Sequence, residues 1–156
     1  MDPQAPTGRG TAGKLIRALV VDDKPDLANL MAELLNKIAD VNVVVIALGG
    51  ELGLELATTC QVDLVLTDID MPETNGLRLT SLLREQLPTI CIIATSGDGC
   101  WAKAAIAAGA DSFISKPDLV DRLAEEIERL RQEGVLRTRR KNSEGDHEVR
   151  DRIAGD

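Results

Sequence analysis

Ala18-Leu19-Val20-Val21-Asp22-Asp23 is a run of four apolar residues that stops at two acids. A short, Val-rich, uninterrupted apolar run is the mark of a strand buried on both faces, as in a parallel sheet. Outward from it the pattern repeats. Lys24-Pro25-Asp26 gives a turn and a helix start, and Leu27, Leu30, Met31, Leu34, Leu35 and Ile38 recur at helical spacing. Val43-Val44-Val45-Ile46 is a second strand, Gly49-Gly50 breaks the chain, and Leu52, Leu56 and Ala57 mark one face of a short helix. Leu64-Val65-Leu66 is a third strand, closed by Asp68. Met71-Pro72-Glu73-Thr74-Asn75-Gly76 reads as a loop, with Asn75 as the cap of a helix whose apolar positions are Leu77, Leu79, Leu82 and Leu83. Residues 90–94 form strand four, 101–108 an Ala-rich helix stopped by Gly109, and 111–115 strand five. Leu119, Leu123, Ile127 and Leu130 mark a last amphipathic helix.

Five strands alternating with five helices give an α/β fold, a doubly wound parallel sheet. Right-handed crossovers restrict its strand order to a few possibilities. Residues 1–14 are Pro/Gly/Thr-rich and read as a disordered leader, neither signal peptide nor membrane anchor. The domain is expected over residues 15–133. From about Gly134 the periodicity stops, and 134–156 reads as a charged, disordered tail in which Val149 and Ile153 are too few to anchor a helix.

Of 156 residues 44% are hydrophobic and 28% charged, a globular balance. The formal net charge of −8 argues against general nucleic-acid binding. One Trp, one Phe and no Tyr leave little for a base-stacking platform and make the core aliphatic. Cys60, Cys91 and Cys100 form no C-x-x-C pair and read as small apolar residues of a reducing compartment; cytoplasmic residence is expected. The single His147 sits in the polar tail without an obvious metal-binding companion.

Sites in open α/β sheets lie outside the carboxyl ends of the strands. Strand one ends in Asp22-Asp23, strand three in Asp68 followed by Ile69-Asp70, strand four in Thr95-Ser96, strand five in Lys116-Pro117. Three carboxylates brought together repel and call for a cation. Hard oxygens without His or Cys suit Mg²⁺. Lys116 supplies a point charge for a phosphate, Ser96 a hydroxyl donor, and a carboxylate beside them can become an aspartyl-phosphate.

With these residues in order, the chain resembles the receiver domain of two-component response regulators over about residues 16–133. The resemblance rests on Val20-Val21-Asp22-Asp23, Asp68-x-x-Met71-Pro72-x-x-Asn75-Gly76, Ser96-Gly97 and Phe113-x-x-Lys116-Pro117. It implies a sheet of order 2-1-3-4-5. It implies that Asp68 is the phosphoacceptor, that Asp23 binds Mg²⁺ directly and Asp22 through water, and that Asp70 contributes its backbone carbonyl. It implies that Ser96 is the switch hydroxyl, with Thr95 as the alternative, that Phe113 is the aromatic turning inward behind it, and that Lys116 pairs with the phosphate. The implied phosphodonor is a sensor histidine kinase or a histidine phosphotransfer protein. The implied output is a stand-alone, non-enzymatic signal to a downstream protein, with no direct DNA or membrane binding, from a monomer or a phosphorylation-dependent dimer.

Two other readings stand beside this one. Asp68-Ile69-Asp70 resembles the D-x-D motif of haloacid-dehalogenase-type phosphatases, although two strands precede it here. A degenerate receiver serving only as a binding module is the other.

Overall fold

The computed structural model describes residues 14–71, 75–137, 139 and 140. Five parallel strands, β1 (Lys14–Val21), β2 (Val41–Ala47), β3 (Leu64–Asp68), β4 (Cys91–Ser96) and β5 (Ser112–Ser115), lie in the order β2-β1-β3-β4-β5. Between and after them run α1 (Pro25–Asn36), α2 (Gly50–Thr59), α3 (Gly76–Gln86), α4 (Ala102–Ala108) and α5 (Leu119–Gln132). Strand order and helix count agree with the expectation.

Alternation along each strand divides the core in two. Ala18, Val20, Leu64, Leu66, Ile93 and Ile114 pack with Met31 and Leu35 of α1 and Leu123, Ile127 and Leu130 of α5. Leu19, Val21, Val65, Ile92 and Ala94 pack on the other face with Ala57 of α2, Leu79 and Leu83 of α3 and Ala105 of α4. β3 and β4 are buried throughout, which explains their unbroken apolar runs.

Side-chain hydrogen bonds fix the junctions. Asn75 accepts from the Arg78 N–H at 2.9 Å and so caps α3, as expected. Arg84, in the last turn of α3, donates to the Gly109, Pro88 and Ile90 carbonyls and to Asp111 Oδ2, all within 3.0 Å. Asp111 also accepts from the Ile92 N–H at 2.9 Å, so one ion pair holds α3, β4 and the start of β5 together. Gly109, at φ +121°, ends α4 in a conformation that favours glycine.

The two ends differ from the expectation. Lys14 lies in β1, so the leader gives way to strand one residue early; residues 1–13 lie outside the described residues. Past Glu133 the packing continues: Leu136 is 2% exposed in the α1/α5 core, and β6 (Arg139–Arg140) pairs antiparallel with Lys14 and Leu15. The rest of the tail, with His147, Val149 and Ile153, is outside the described residues, as are Pro72, Glu73 and Thr74.

Candidate functional site

The carboxyl ends of β1, β3, β4 and β5 face one region because all four strands run parallel. Asp22, directly after β1, and Asp68, the last residue of β3, are wholly buried; Asp23 is partly buried. Each of the three acids offers one oxygen, and these oxygens lie within 4.8 Å of one another. Lys116, which opens the turn after β5, reaches in with Nζ 3.1 Å from Asp68 Oδ1 and 3.4 Å from Asp22 Oδ2.

Lys24 Nζ lies 3.7 Å from Asp23 Oδ1 at the exposed rim, so two ammoniums face three carboxylates and the centre is still short of positive charge. Burial pushes the Asp68 carboxyl above its ordinary range; the Lys116 hydrogen bond opposes this and the neighbouring Asp22 charge adds to it. For Lys116 burial works against the charged form, but the hydrogen bond and charge of Asp68, with Asp22 behind it, outweigh it and hold the ammonium above its ordinary value. Asp22 Oδ2, Asp23 Oδ1 and Asp68 Oδ2 are buried without a hydrogen-bond partner, the first two having only the longer ion pairs to Lys116 and Lys24. Buried anionic oxygens of this kind are costly unless something pairs with them. Carboxylate oxygens gathered in this way, without His or Cys, are a donor set that suits a small hard cation such as Mg²⁺.

Ser96, the last residue of β4, is wholly buried. Its hydroxyl donates to Asp70 Oδ2 at 2.7 Å, and its oxygen accepts the Asp98 N–H at 3.1 Å. The Asp70 N–H in turn donates to Asp68 Oδ1 at 3.2 Å. Ser96 is thus linked to Asp68 through Asp70. Thr95, the alternative, has a buried Oγ1 without a hydrogen-bond partner and stands in register with Asp68 across β3 and β4. Phe113 is half-buried on β5, against the core face lined by Ala94 and Ala105. Asp70 is expected to offer the metal its backbone carbonyl; its side chain is exposed and is not one of the acidic trio.

Trp101 is a neighbour of the site that the pattern of residues did not reveal. It lines an open groove with Ile69, Asp70, Met71, Asn75 and Leu77, beside the acceptor strand end. Its one sequence signal was its position directly after the strand-four loop.

Comparison with known proteins points the same way. Residues 18–128 match the family described as the response regulator receiver domain. A protein-glutamate methylesterase/protein-glutamine glutaminase of Nocardioides sp. is 32% identical over 121 residues, 75% of this chain and 33% of that protein. The nitrate/nitrite response regulator NarL of Escherichia coli K12 is 35% identical over 100 residues, 63% of this chain and 46% of NarL. The chain therefore spans between a third and a half of these relatives. The response regulator domain of Thermotoga maritima CheB superposes with a TM-score of 0.65 at 29% identity, covering 76% of this chain and 96% of that one. TrrA of Thermotoga maritima, solved in complex with Mg²⁺-BeF, superposes with a TM-score of 0.67 at 28% identity, covering 74% and 99%.

Proposed function

The chain belongs to the response regulator receiver family, and from that premise we propose that it accepts a phosphoryl group on Asp68 with Mg²⁺ bound at Asp22, Asp23 and Asp68, and signals by a change of shape. The observation that carries this reading is a buried carboxylate with one oxygen held by Lys116 and the other without a hydrogen bond. An Asp68 oxygen attacks phosphorus. The bond from phosphorus to the leaving imidazole nitrogen of a phosphohistidine, or to the carboxylate oxygen of an acyl phosphate, breaks, and its electron pair departs with the leaving group. The product is an aspartyl-phosphate, later hydrolysed by water to phosphate and the free carboxylate. Lys116 offsets charge on the transferred group, and Mg²⁺, when bound, supplies further charge neutralisation. The Asp70 backbone carbonyl completes the metal set in this reading.

The donor is a sensor histidine kinase or a histidine phosphotransfer protein, and the recipient is a downstream protein. Cytoplasmic residence, a non-enzymatic role for this domain and a monomer or phosphorylation-dependent dimer complete the proposal. The phosphatase alternative needs Asp70 as a free acid or base; its carboxylate is instead engaged by Ser96. No helix among the described residues is long and apolar enough to cross a membrane.

Two outcomes test the proposal. Mg²⁺ at about 100 times its dissociation constant stabilises the wild type by about 2.7 kcal/mol. That is a rise in melting temperature of roughly 10 °C for a domain of this size. Asp23→Asn loses most of this rise and, freed of one repelling charge, is no less stable without metal. An equal Mg²⁺ shift in the variant contradicts the assignment.

The second outcome concerns the switch. Ser96→Ala takes up phosphoryl from acetyl phosphate but no longer transmits it to Phe113, read as ¹H–¹⁵N shift changes along β5 on phosphorylation. Changes as large as in the wild type move the switch role to Thr95.

A further inference from the structure

Ser96 has a single hydroxyl proton, and in this structure it is already committed. It goes to Asp70 Oδ2 at 2.7 Å, while the Ser96 oxygen accepts from the Asp98 N–H at 3.1 Å. A hydroxyl offers one donor and two acceptor positions, so it cannot serve Asp70 and an incoming phosphoryl oxygen together. An ionised acceptor makes this bond roughly twice as strong as a neutral one. The two partners differ in what they gain from it. Asp70 is exposed, so water replaces the hydroxyl when it leaves; Ser96 is wholly buried and must find another acceptor inside the site.

We infer that Asp70 is a positioning residue that holds Ser96 in the resting arrangement, so that the phosphoryl group must win the Ser96 proton from the Asp70 carboxylate. The inference rests on Asp68 as the acceptor and Ser96 as the switch, and adds to them an opposing group. Both acceptors are anionic and compete for one proton, so the fraction of protein with Ser96 free is set by the strength of the Asp70 bond. A ligand that needs the free hydroxyl binds more weakly in proportion to that fraction. Asp70 sits two residues after the acceptor, and its N–H bond to Asp68 Oδ1 at 3.2 Å keeps the restraint registered to the reacting carboxylate.

A purely repulsive role for Asp70 would also weaken anion binding, so the test must separate charge from restraint. Beryllofluoride, a phosphoryl mimic, is titrated in saturating Mg²⁺ into wild type, Asp70→Ala, Ser96→Ala and the double variant, with the bound fluoride followed by ¹⁹F NMR. Asp70→Ala should bind about tenfold more tightly than wild type when Ser96 is present, and no more than about twofold more tightly when Ser96 is alanine. Asp70→Asn keeps an acceptor oxygen without the charge and should fall between. An equal gain in both backgrounds overturns the restraint in favour of simple repulsion, and so does no gain with Ser96 present. Absence of any bound signal in the wild type fails the Asp68 reading itself, and the inference with it.

Discussion

Gly76→Ala should destabilise the protein by about 3 kcal/mol, read as a lower urea midpoint at unchanged slope. A Cβ at Gly76 would stand 2.3 Å from the Asp68 carbonyl oxygen, 2.5 Å from Ile69 Cα and 3.0 Å from the Asp68 carbonyl carbon. All three are backbone atoms, so no rotamer change relieves the clash; either α3 must lift or the end of β3 must shift. The Gly76 N–H donates to the Ile69 carbonyl at 3.0 Å, a bond that requires the same close approach. The strand end under pressure is the one that carries Asp68, so the variant should also lose phosphoryl uptake. Gly49→Ala is the control: Gly49 is extended, with nothing within 4 Å of the added carbon, and its loss should be under about 1 kcal/mol. A Gly76→Ala midpoint close to that of Gly49→Ala would mean that the helix can ride away from the strand without cost.

Much of this architecture could be read in advance because buried parallel strands carry their signature locally. The apolar runs ending at Val21, Leu66 and Ala94 were unbroken, and parallel geometry alone then brings the acidic and hydroxyl residues that follow them together with Lys116. The strand β1 was legible only from Ala18, because Lys14 and Arg17 interrupt the apolar run. Arg17 is held in place by the Cys60 and Gln61 carbonyls, contacts 43 and 44 residues away that no local pattern carries. Leu136 was missed for a similar reason: one apolar pair, Val135-Leu136, amid charged residues has no period, yet the turn after α5 folds it into the core. The Asp70–Ser96 bond joins the loop after β3 to the last residue of β4. Spacing in the sequence showed both residues near the site but could not show them bonded to each other.

Asp68→Asn should abolish phosphoryl uptake, the second large effect. Asparagine keeps the shape of the side chain, but an amide is no nucleophile towards phosphorus and leaves Mg²⁺ one anionic ligand short. The same substitution should leave the metal-free fold at least as stable as the wild type. Asp68 is held above its ordinary value of 3.8 chiefly by burial, so the folded protein binds this proton more tightly than the unfolded chain does. Its stabilising contribution is present below the unfolded value and is lost as pH rises through the folded one, so at neutral pH the buried charge counts against folding. The variant carries no such charge, although Lys116 then keeps only Asp22 as an anionic partner. Loss of uptake therefore cannot be put down to loss of the fold.

The decisive measurement is the intact mass of wild type and Asp68→Asn after incubation with acetyl phosphate, with and without Mg²⁺. Gain of one phosphoryl group by the wild type alone, and only with Mg²⁺, is the result expected. No gain by the wild type under either condition, or a gain that persists in Asp68→Asn, would contradict Asp68 as the acceptor.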